Sequence, residues 1–481
     1  MDLILTLIIA QAFIGAYDTI YHHDLREGLP FRPTAALELK IHSMRSFLYS
    51  VLFFTLAWSQ PRGLFSLSFA AIILIEIGLT FWDFVVEDQT RVLPPTERIV
   101  HSILGFNFAV IVTLLIPYWW DWLHQPTTFQ LVDYGLKSWL LTIFGFGVLP
   151  FSWREWTSYR RLSDSDSIIN RNPNFPPMLP QKILVTGATG FIGRVLCRVL
   201  LSQGHSLTLL ARDFAKAADL GNTRLTLVGS FKELRSDDAF DIVINLAGEP
   251  IADQRWTSSR KQSLIQSRVD LTRQLVQWMS TAKQKPHVLI SGSAIGYYGP
   301  QPVGQLSEDA KGVNSFSHQL CHDWESAALG AKALGVRVVL LRTGIVLGRQ
   351  GGALLKMLSP FSLGMGGRIG NGTQWMSWIH IDDWIGIALK AMTTPGLSGP
   401  VNVTAPHPVT NKEFSYTLGR ALHRPAWMTL PAFAVKVLFG KMGEELLLNG
   451  QQVLPSKILA LGYSYRYPTL LPAIKEVIHH V

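Results

Sequence analysis

Three closely spaced glycines form the most chemically informative part of this sequence. Gly187, Gly190 and Gly193 follow an apolar strand pattern that begins at Lys182 and precede a helical pattern that begins at Arg194. Glycines at this spacing permit a tight turn, a close approach of the backbone to a pyrophosphate, and close packing of a helix on a strand. The helix N-terminus would then face the phosphate charge. The segment predicts a dinucleotide-binding loop whose contacts are Gly187, Thr189, Gly190, Phe191, Ile192 and Gly193.

The ends of two further predicted strands indicate which dinucleotide would bind. The second strand ends at Ala211 and is followed by Arg212. An acidic residue there would bind the ribose 2′-hydroxyl of NAD, whereas an arginine suits the 2′-phosphate of NADP. The pattern favours NADP(H), with NAD(H) as the alternative cofactor and an uninvolved surface arginine as the alternative role. Small residues at the end of the fourth strand would let it approach the cofactor, and the predicted contacts there are Asn245, Ala247 and Gly248.

A second set of reactive side chains lies in the apolar first third of the chain. Four pairs occur at i, i+4 spacing, which places both members of a pair on one helix face. The pairs are Asp18 with His22, Glu38 with His42, Asp83 with Glu87, and Glu97 with His101. Facing helices that supply carboxylate and imidazole groups can bind a pair of metal ions. The pattern predicts a transition-metal site, and the alternative is a network of ion pairs with Arg26, Arg45, Arg91 and Arg98.

Long apolar stretches must position these pairs. The chain has 481 residues, of which only 16% are charged, and its mean hydropathy is +0.21. Five stretches approach the ~20 residues that span a bilayer, and they are 3–21, 44–59, 65–86, 99–119 and 132–150. Stretch 44–59 is the shortest. The pattern predicts an all-α bundle of about five transmembrane helices within residues 1–153.

Charges in the predicted loops indicate an orientation. Basic residues concentrate in the first loop, the third loop and the segment after the fifth stretch, and they are Arg26, Arg32, Lys40, Arg45, Arg91, Arg98, Arg154, Arg160 and Arg161. Because cytoplasmic loops are enriched in Lys and Arg, the N-terminus is expected outside and the C-terminal part in the cytoplasm. We therefore expect a multi-pass protein of the cell membrane whose partners are the lipid bilayer and a small-molecule substrate. The sequence leaves the oligomeric state open.

Composition separates this chain from two other classes of protein. The net charge is +9, but no compact Lys/Arg cluster with interleaved aromatic residues occurs, so a membrane-facing balance is favoured over nucleic-acid binding. The two cysteines, Cys197 and Cys321, cannot form a disulfide framework and fit a reducing compartment.

Strand and helix patterns alternate after a polar linker at residues 154–181. The predicted strands are 182–187, 206–211, 225–229, 241–246, 286–291, 337–342 and 400–403. The predicted helices include 191–203, 258–282 and 317–334. This alternation is typical of an α/β fold with a doubly wound parallel sheet. We expect a Rossmann domain at residues 182–425 and a small α-rich C-terminal domain at residues 426–481.

Several motifs in this half carry a family resemblance. Segments 186–193, 245–248, 291–299, 341–344 and 378–383 resemble the extended and atypical short-chain dehydrogenase/reductases. Segments 248–256 and 366–372 resemble more narrowly the epimerase-like subgroup, which belongs to the NAD-dependent epimerases and dehydratases. The resemblance covers residues 182–480 and implies an NAD(P)-binding fold that transfers a hydride.

The resemblance also implies catalytic residues, and this chain departs from them. The family uses a Tyr-x-x-x-Lys pair and a serine, of which Ser293 fits the serine. Ser317 stands where the tyrosine belongs and Cys321 where the lysine belongs. Candidate replacements for the acid or base are Tyr298 and His318, with Tyr297 and His322 as alternatives. Each of these could instead serve packing or face solvent.

Substrate contacts implied by the resemblance are Arg255, Trp256, Arg368 and His380. The arginines suit an anionic group, although Asp382 or Asp383 could pair with one of them instead. The predicted function is a membrane-anchored NADP(H)-binding epimerase-like oxidoreductase that transfers a hydride to or from a small polar or membrane-associated substrate. The alternatives are an NADP(H)-sensing module that controls the membrane domain, and the reductase half of a metal-dependent membrane oxidase.

Overall fold

The computed structural model of the protein describes residues 1–31, 35–91, 93–164, 175, 178–218, 220, 223–349 and 351–479. The chain divides into two compact units, which consist mainly of residues 1–170 and of residues 171–479. Residues 165–174 and 176–177 of the predicted linker lie outside the described residues, as does Arg32 of the first predicted basic loop. Residues 154–164 are helical, so the predicted start of the linker at residue 154 is wrong.

Five long helices build the first unit. They are α1 (Asp2–Tyr17), which continues as a π-helix (Asp18–Glu27), α2 (Ala36–Trp58), α3 (Leu64–Thr90), α4 (Pro95–Leu123) and α5 (Leu136–Asp164). Two short strands, β1 (Ser59–Arg62) and β2 (Thr128–Leu131), pair antiparallel between the α2–α3 and α4–α5 connections. Side chains such as Leu5, Leu56, Phe69 and Leu141 fill the core between the helices.

Four helical segments of the described chain are long and apolar enough to cross a membrane. They are Asp2–Glu27, Leu64–Thr90, Pro95–Leu123 and Leu136–Arg160. The predicted span 44–59 lies in α2, which is not among the four, so five spans are not confirmed. The first three turns of α2 carry Glu38, Lys40, His42 and Arg45, which lower its apolar character.

The second unit contains the predicted parallel sheet. Its strands are β3 (Lys182–Thr186), β4 (Ser206–Leu210), β5 (Leu225–Val228), β6 (Ile242–Asn245), β7 (Val288–Ala294), β9 (Arg337–Thr343) and β14 (Gly399–Val403). Their order across the sheet is β14-β9-β7-β6-β3-β4-β5, and every neighbouring pair is parallel. All seven predicted strands are therefore confirmed. The order reverses between β3 and β6, where doubly wound sheets bind their ligands.

Helices cover both faces of this sheet. Those whose side chains enter its two cores are α6 (Phe191–Ser202), α7 (Phe214–Ala218), α9 (Leu271–Thr281), α10 (Phe316–Leu329) and α12 (Ile381–Thr393). The unit also contains α8 (Ser258–Ile265) and most of α11 (Ala353–Ser362). Alternate residues of β3 enter different cores, because successive strand side chains point to opposite faces. Ile183 packs in a core that includes Leu196 of α6, whereas Leu184 packs in a core that includes Leu275 of α9.

Shorter elements complete the second unit. The strands are β8 (Gln305–Leu306), β10 (Ile345–Leu347), β11 (Gly367–Ile369), β12 (Trp375–Met376), β13 (Trp378–His380), β15 (Val409–Thr410), β16 (Met428–Leu430) and β17 (Gln452–Val453). The helices are α13 (Asn411–Ala421), α14 (Ala432–Gly443), α15 (Ser456–Ala460) and α16 (Leu470–His479). β16 pairs with β11 and β17 pairs with β8, so the C-terminal segment is joined to earlier parts of the same unit.

Candidate functional site

The glycine loop has the backbone geometry that a dinucleotide cradle needs. Gly187 follows β3 with a φ of +75°, and a Cβ there would lie 2.5 Å from the carbonyl carbon of Leu246. A Cβ on Gly193 would lie 2.2 Å from the oxygen of Gly187. Neither position tolerates a side chain, which fits the predicted turn and the close packing of α6 on β3.

The start of α6 is open at this loop. Gly190 is the exposed N-cap residue, and no side chain caps the helix there. Its amide donates to the oxygen of Gly187 over 3.1 Å. The chain from Thr189 to Ile192 thus passes an exposed helix N-terminus, where backbone amides can bind phosphate. The side chain of Phe191 packs away from it, against Gly348 and Gly351.

The side chain of Asn245 links the carboxyl ends of β3 and β6 next to the glycine loop. Its side-chain oxygen accepts from the Thr186 hydroxyl at 2.7 Å, and its amide donates to Thr272 at 2.8 Å. Because Asn245 is completely buried, it positions the cradle instead of presenting its side chain to a ligand. The amide of Ala247 donates to the Thr186 hydroxyl. Gly248 leaves room for Arg268, whose guanidinium carbon would lie 2.9 Å from a Cβ at that position.

Arg212 lies beyond the carboxyl end of β4 with its side chain 88% exposed. Its guanidinium is 3.4 Å from one oxygen of Glu249, whose other oxygen accepts from Arg260 at 2.7 Å. The hydrogen bond from Arg260 is the main cause that lowers the pKa of Glu249. A phosphate could therefore replace Glu249 as the partner of Arg212, which fits the predicted 2′-phosphate contact.

A carboxylate occupies the position expected for the catalytic pair. Ser317 and Cys321 are buried on α10. The Ser317 hydroxyl donates to Glu445 at 2.7 Å, and the Ser317 amide donates to the same carboxylate at 3.1 Å. Burial raises the pKa of the Cys321 thiol to about 12, so Cys321 is not a ready nucleophile. Glu445 was not predicted from the sequence.

The predicted serine and tyrosine belong to one buried network. Ser293 donates to Glu325 at 2.7 Å, and Glu325 forms a two-pronged ion pair with Arg342 at 2.8 and 2.9 Å. Tyr298 donates to Asn402 at 2.6 Å and accepts from Arg342 at 3.1 Å. Tyr298 is completely buried, and burial raises its pKa. The geometry assigns Tyr298 to this network and corrects its predicted role as an acid or base.

The two histidines of α10 differ in their surroundings. The Nδ1 atom of His318 bonds to the carbonyl oxygen of Tyr297, which ties the helix to the turn after β7. His322 is exposed and contacts Asp323 at 3.2 Å. Nε2 of His318 makes no hydrogen bond among the described contacts, so His318 keeps one nitrogen for proton transfer.

The predicted substrate residues do not all reach one cleft. Arg255 is exposed and donates to the carbonyl oxygen of Val437 at 3.0 Å. Trp256 is buried and packs edge-on against Phe316, with ring centroids 4.9 Å apart. Both therefore lie beside α10 and the C-terminal segment. Arg368 is exposed and donates to Thr429 at 3.2 Å.

His380 has a structural position instead of the predicted substrate contact. It is 1% exposed, its Nε2 bonds to Glu476 at 2.8 Å, and its Nδ1 accepts from the amide of Asp382 as the N-cap of α12. The expected pairing of Asp382 or Asp383 with Arg255 or Arg368 is also absent from the described contacts. Asp382 instead pairs with Arg466 at 3.2 Å.

In the first unit, the four predicted acid and histidine pairs converge. His42 lies 3.1 Å from Asp83, and His101 lies 3.0 Å from Asp18 and 3.3 Å from Glu87. Three sets of side chains each bring their ligand atoms within 4.8 Å of one another, and they are His23/Glu87/Glu97/His101, His23/His42/Glu155 and Glu38/His42/Glu87.

Two of the four arginines of the alternative interpretation, Arg45 and Arg91, form ion pairs with the cluster, whereas Arg26 donates to Thr96 at 3.0 Å and Arg98 forms no ion pair among the described contacts. Arg91 bonds to Glu38 at 2.8 Å and to Glu97 at 2.6 Å. Arg45 bonds to Glu76 at 3.0 Å and to Asp83 at 2.5 Å. The cluster is therefore partly neutralised by arginines, as that alternative expected, while three sets retain metal-ligand spacing.

In the first predicted pair, the histidine that faces the centre of the cluster is His23 and not the predicted His22. His22 uses both ring nitrogens, with Asp18 at 2.7 Å and Thr96 at 3.2 Å. His23 faces the centre instead, with Nε2 3.5 Å from both Asp18 and Glu97. The cause is the π-helix that begins at Asp18, because its wider turn brings position i+5 onto the same face. Glu155 of α5 was also missed.

Comparison with protein families matches two parts of the second unit. Residues 183–403 match the NAD dependent epimerase/dehydratase family. Residues 430–477 match a domain of unknown function, DUF1731. The two matches follow each other in the order that the sequence motifs predicted.

Individual relatives cover the same region. The chain is 37% identical over 301 residues to the chloroplastic epimerase family protein SDR39U1 homolog of Arabidopsis thaliana, which covers 61% of this chain and 86% of the relative. It is 38% identical over 302 residues to epimerase family protein SDR39U1 of Homo sapiens, with coverage of 62% and 99%. The crystal structure of human SDR39U1 isoform 2 with NADPH matches with 36% identity and a TM-score of 0.57, and covers 62% of this chain and all 100% of that one.

Proposed function

We propose, for a chain that belongs to the NAD-dependent epimerase/dehydratase family, that it is a membrane-anchored NADP(H)-dependent oxidoreductase of the epimerase-like type. The observation that carries the proposal is the cradle formed by Gly187, Gly190 and Gly193 together with the exposed Arg212 beside Glu249. The human relative of known structure was solved with NADPH, which supports the phosphorylated form of the cofactor.

The residues of the cradle bind the two phosphate-bearing parts of the cofactor. The amides that follow Gly190 bind the pyrophosphate, and Arg212 binds the 2′-phosphate in place of its contact with Glu249. When bound, NADP(H) supplies or accepts a hydride at C4 of the nicotinamide. The proton of the substrate hydroxyl then needs an acid or base other than the usual tyrosine. His318 fits this role best, because its Nδ1 is fixed by the carbonyl oxygen of Tyr297 and its ring is only partly buried.

Membrane anchoring is supported by the outward side chains of the first unit. Leu74, Phe106 and Phe146 are each at least 64% exposed, and they lie on three of the four helices that are apolar enough to span a membrane. Such a surface is stable in lipid and costly in water. The basic loops support a cytoplasmic side for the nucleotide-binding unit. The substrate would then be a small polar or membrane-associated molecule.

A second candidate function is an NADP(H)-sensing module without turnover. It is favoured by one observation, namely that Ser317 and Cys321 replace the usual pair and that Glu445 closes the Ser317 position.

Deuterium transfer separates the two functions. The full chain in lipid nanodiscs is incubated with NADPH deuterated at either face of C4, together with keto sugar nucleotides or aldehydes, and the products are analysed by mass spectrometry. Quinone reduction, whose product loses the label to water, is followed instead by the oxidation of NADPH. The oxidoreductase predicts deuterium in one product from only one of the two NADPH forms, and a Gly193→Ala variant should give none. Tight NADPH binding with neither deuterium transfer to any compound nor oxidation of NADPH by a quinone would instead establish the sensing module.

A further inference from the structure

The helical unit contains buried ligand atoms that have no hydrogen-bond partner. Neither ring nitrogen of His23 makes a hydrogen bond, and the same is true of Nδ1 of His42, Nδ1 of His101 and one oxygen each of Glu38 and Glu87. His23 is only 7% exposed, and Glu38 and Glu87 are completely buried. Buried polar atoms are almost always satisfied, so this group of free atoms points to a ligand.

The opposite nitrogen of two of these histidines is held by a carboxylate. Nε2 of His42 bonds to Asp83 at 3.1 Å, and Nε2 of His101 bonds to Asp18 at 3.0 Å. Each carboxylate orients its imidazole, so that Nδ1 of His42 has no hydrogen bond and Nδ1 of His101 faces an oxygen of Glu87 at 3.3 Å. Metal-binding histidines have this arrangement, in which a carboxylate accepts from the nitrogen that does not bind the metal.

Two of the three sets found among the described residues share one glutamate. Glu87 belongs to the set with Glu38 and His42 and also to the set with His23, Glu97 and His101. Within each set, the ligand atoms lie within 4.8 Å of one another. A carboxylate that is common to two sets is the arrangement in which one side chain bridges two ions.

The charge of the cluster also calls for cations. Eight buried carboxylates occur in this part of the described chain, and they are Asp18, Asp24, Glu38, Glu76, Asp83, Glu87, Glu97 and Glu155. Six of them contact one of three arginines, because Arg45 contacts two, Arg91 three and Arg154 one. The carboxylates still outnumber the guanidinium groups by five, and uncompensated buried charge is strongly unfavourable.

We propose that this cluster binds two divalent transition-metal ions bridged by Glu87. Glu38 and His42 hold one ion, and His23, Glu97 and His101 hold the other. The ligands are imidazoles and carboxylates without a thiolate, which suits iron, manganese or zinc. The site goes beyond the proposed NADP(H) function and does not depend on it, so either can fail while the other stands.

A cavity gives the ions an open side. Its volume is about 400 Å³, and His23, His42, His101 and Glu155 line it. Its other walls are mainly apolar and include Phe53, Phe84, Leu104, Phe108 and Val148. A metal site with an open position next to an apolar cavity suits catalysis on an apolar, membrane-soluble molecule better than a purely structural role.

Metal content of the purified full chain tests the site. The protein is purified in detergent without chelators, incubated with Fe²⁺, Mn²⁺ or Zn²⁺, desalted and analysed by plasma mass spectrometry. We expect about two ions per chain in the wild type, and at most about one in Glu87→Gln and in His42→Ala. His124→Ala is the matched control, because His124 is exposed and bonds only to a backbone carbonyl among the described contacts. It should retain both ions.

Titration of the wild type with Co²⁺ tests the site without relying on a variant, which could fail to fold. Co²⁺ bound by imidazole and carboxylate absorbs visible light, and the wild-type signal should saturate at about two equivalents. Monodisperse elution in detergent and a melting temperature close to that of the wild type report that the helical unit of each variant is folded. The proposal is overturned if the wild type binds none of the four metals, or if folded Glu87→Gln and His42→Ala proteins bind as much metal as the wild type.

Discussion

The hydroxyl of Ser317 donates to a carboxylate oxygen of Glu445 across 2.7 Å, at the helix position where the resembled reductases carry their catalytic tyrosine. The amides of Phe316 and Ser317 also point to Glu445. The carboxylate thus occupies the N-terminal turn of α10, where negative charge is stabilised. Glu445 of the C-terminal segment therefore covers the helix position from which the catalytic tyrosine acts in the resembled reductases.

Replacing Glu445 should destabilise the second unit. Glu445→Ala leaves the Ser317 hydroxyl and two amides without their acceptor, at a cost of about 1–3 kcal/mol. We expect the melting temperature of the full chain, followed by tryptophan fluorescence, to fall by several degrees. The neighbouring Glu444→Ala is the control, because Glu444 contacts only Lys436 and Lys441 among the described ion pairs. Equal melting temperatures for the two variants would refute the capping role.

Tyr298→Phe should reduce stability without removing activity. The variant removes the donor to the side-chain oxygen of Asn402 and one of the acceptors of Arg342, which costs about 1–3 kcal/mol. The phenol is too enclosed to reach a substrate. Deuterium transfer from NADPH should stay within about twofold of the wild type while the melting temperature falls. The opposite pattern, lost transfer at an unchanged melting temperature, would restore Tyr298 as an acid or base.

Gly193→Ala should abolish cofactor binding. The added Cβ would lie 2.2 Å from the oxygen of Gly187, so the loop must move away from α6. We expect NADPH affinity, measured by isothermal titration calorimetry, to fall at least about 100-fold. Gly330→Ala is the matched control, because its Cβ would meet its nearest neighbour at an ordinary 3.6 Å. Unchanged NADPH affinity in Gly193→Ala would show that the cofactor binds elsewhere.

The contact between Glu476 and His380 should depend on pH. Burial favours the neutral carboxyl, but His380 and Arg349 outweigh it and lower the pKa of Glu476 below its ordinary 4.5. A depressed carboxyl pKa stabilises the fold above the unfolded value, and this stability is lost as the pH falls through the folded value. The wild type should melt higher than Glu476→Gln at pH 7.

Acidification provides the check on that difference. Below about pH 4.5 the gap between the two melting temperatures should shrink as Glu476 takes up a proton. The exposed Glu413→Gln variant should melt like the wild type at every pH. A gap that stays constant or widens in acid would mean that the charge of Glu476 is not what stabilises the pair.

Much of the fold follows from local sequence patterns. The seven strands are predictable because each is a short apolar run between turn residues, and the cradle is predictable because Gly187 and Gly193 have no room for a side chain. The convergence of Glu38, His42, Glu87 and His101 is also predictable, because i, i+4 pairs at the same end of antiparallel helices must meet.

Other features depend on distant contacts or unusual backbone. Glu445 acts on Ser317 from 128 positions away, and no local pattern marks that pairing. His380 and Tyr298 have reactive side chains, but tertiary packing buries them. His23 was missed because the sequence does not announce the π-helix that begins at Asp18. Chemical type is therefore readable from sequence, whereas availability to a ligand is set by packing.

The dissociation constants of NADPH and NADH, measured for the full chain by calorimetry, test the central claim most directly. The account predicts that NADPH binds at least about tenfold more tightly, a difference of about 1.4 kcal/mol, because Arg212 is free to bind the 2′-phosphate. Arg212→Ala should remove that preference and leave NADH affinity unchanged. Arg235→Ala, at another exposed arginine, should keep the preference. Equal or tighter binding of NADH by the wild type, or binding of neither cofactor, would contradict the account.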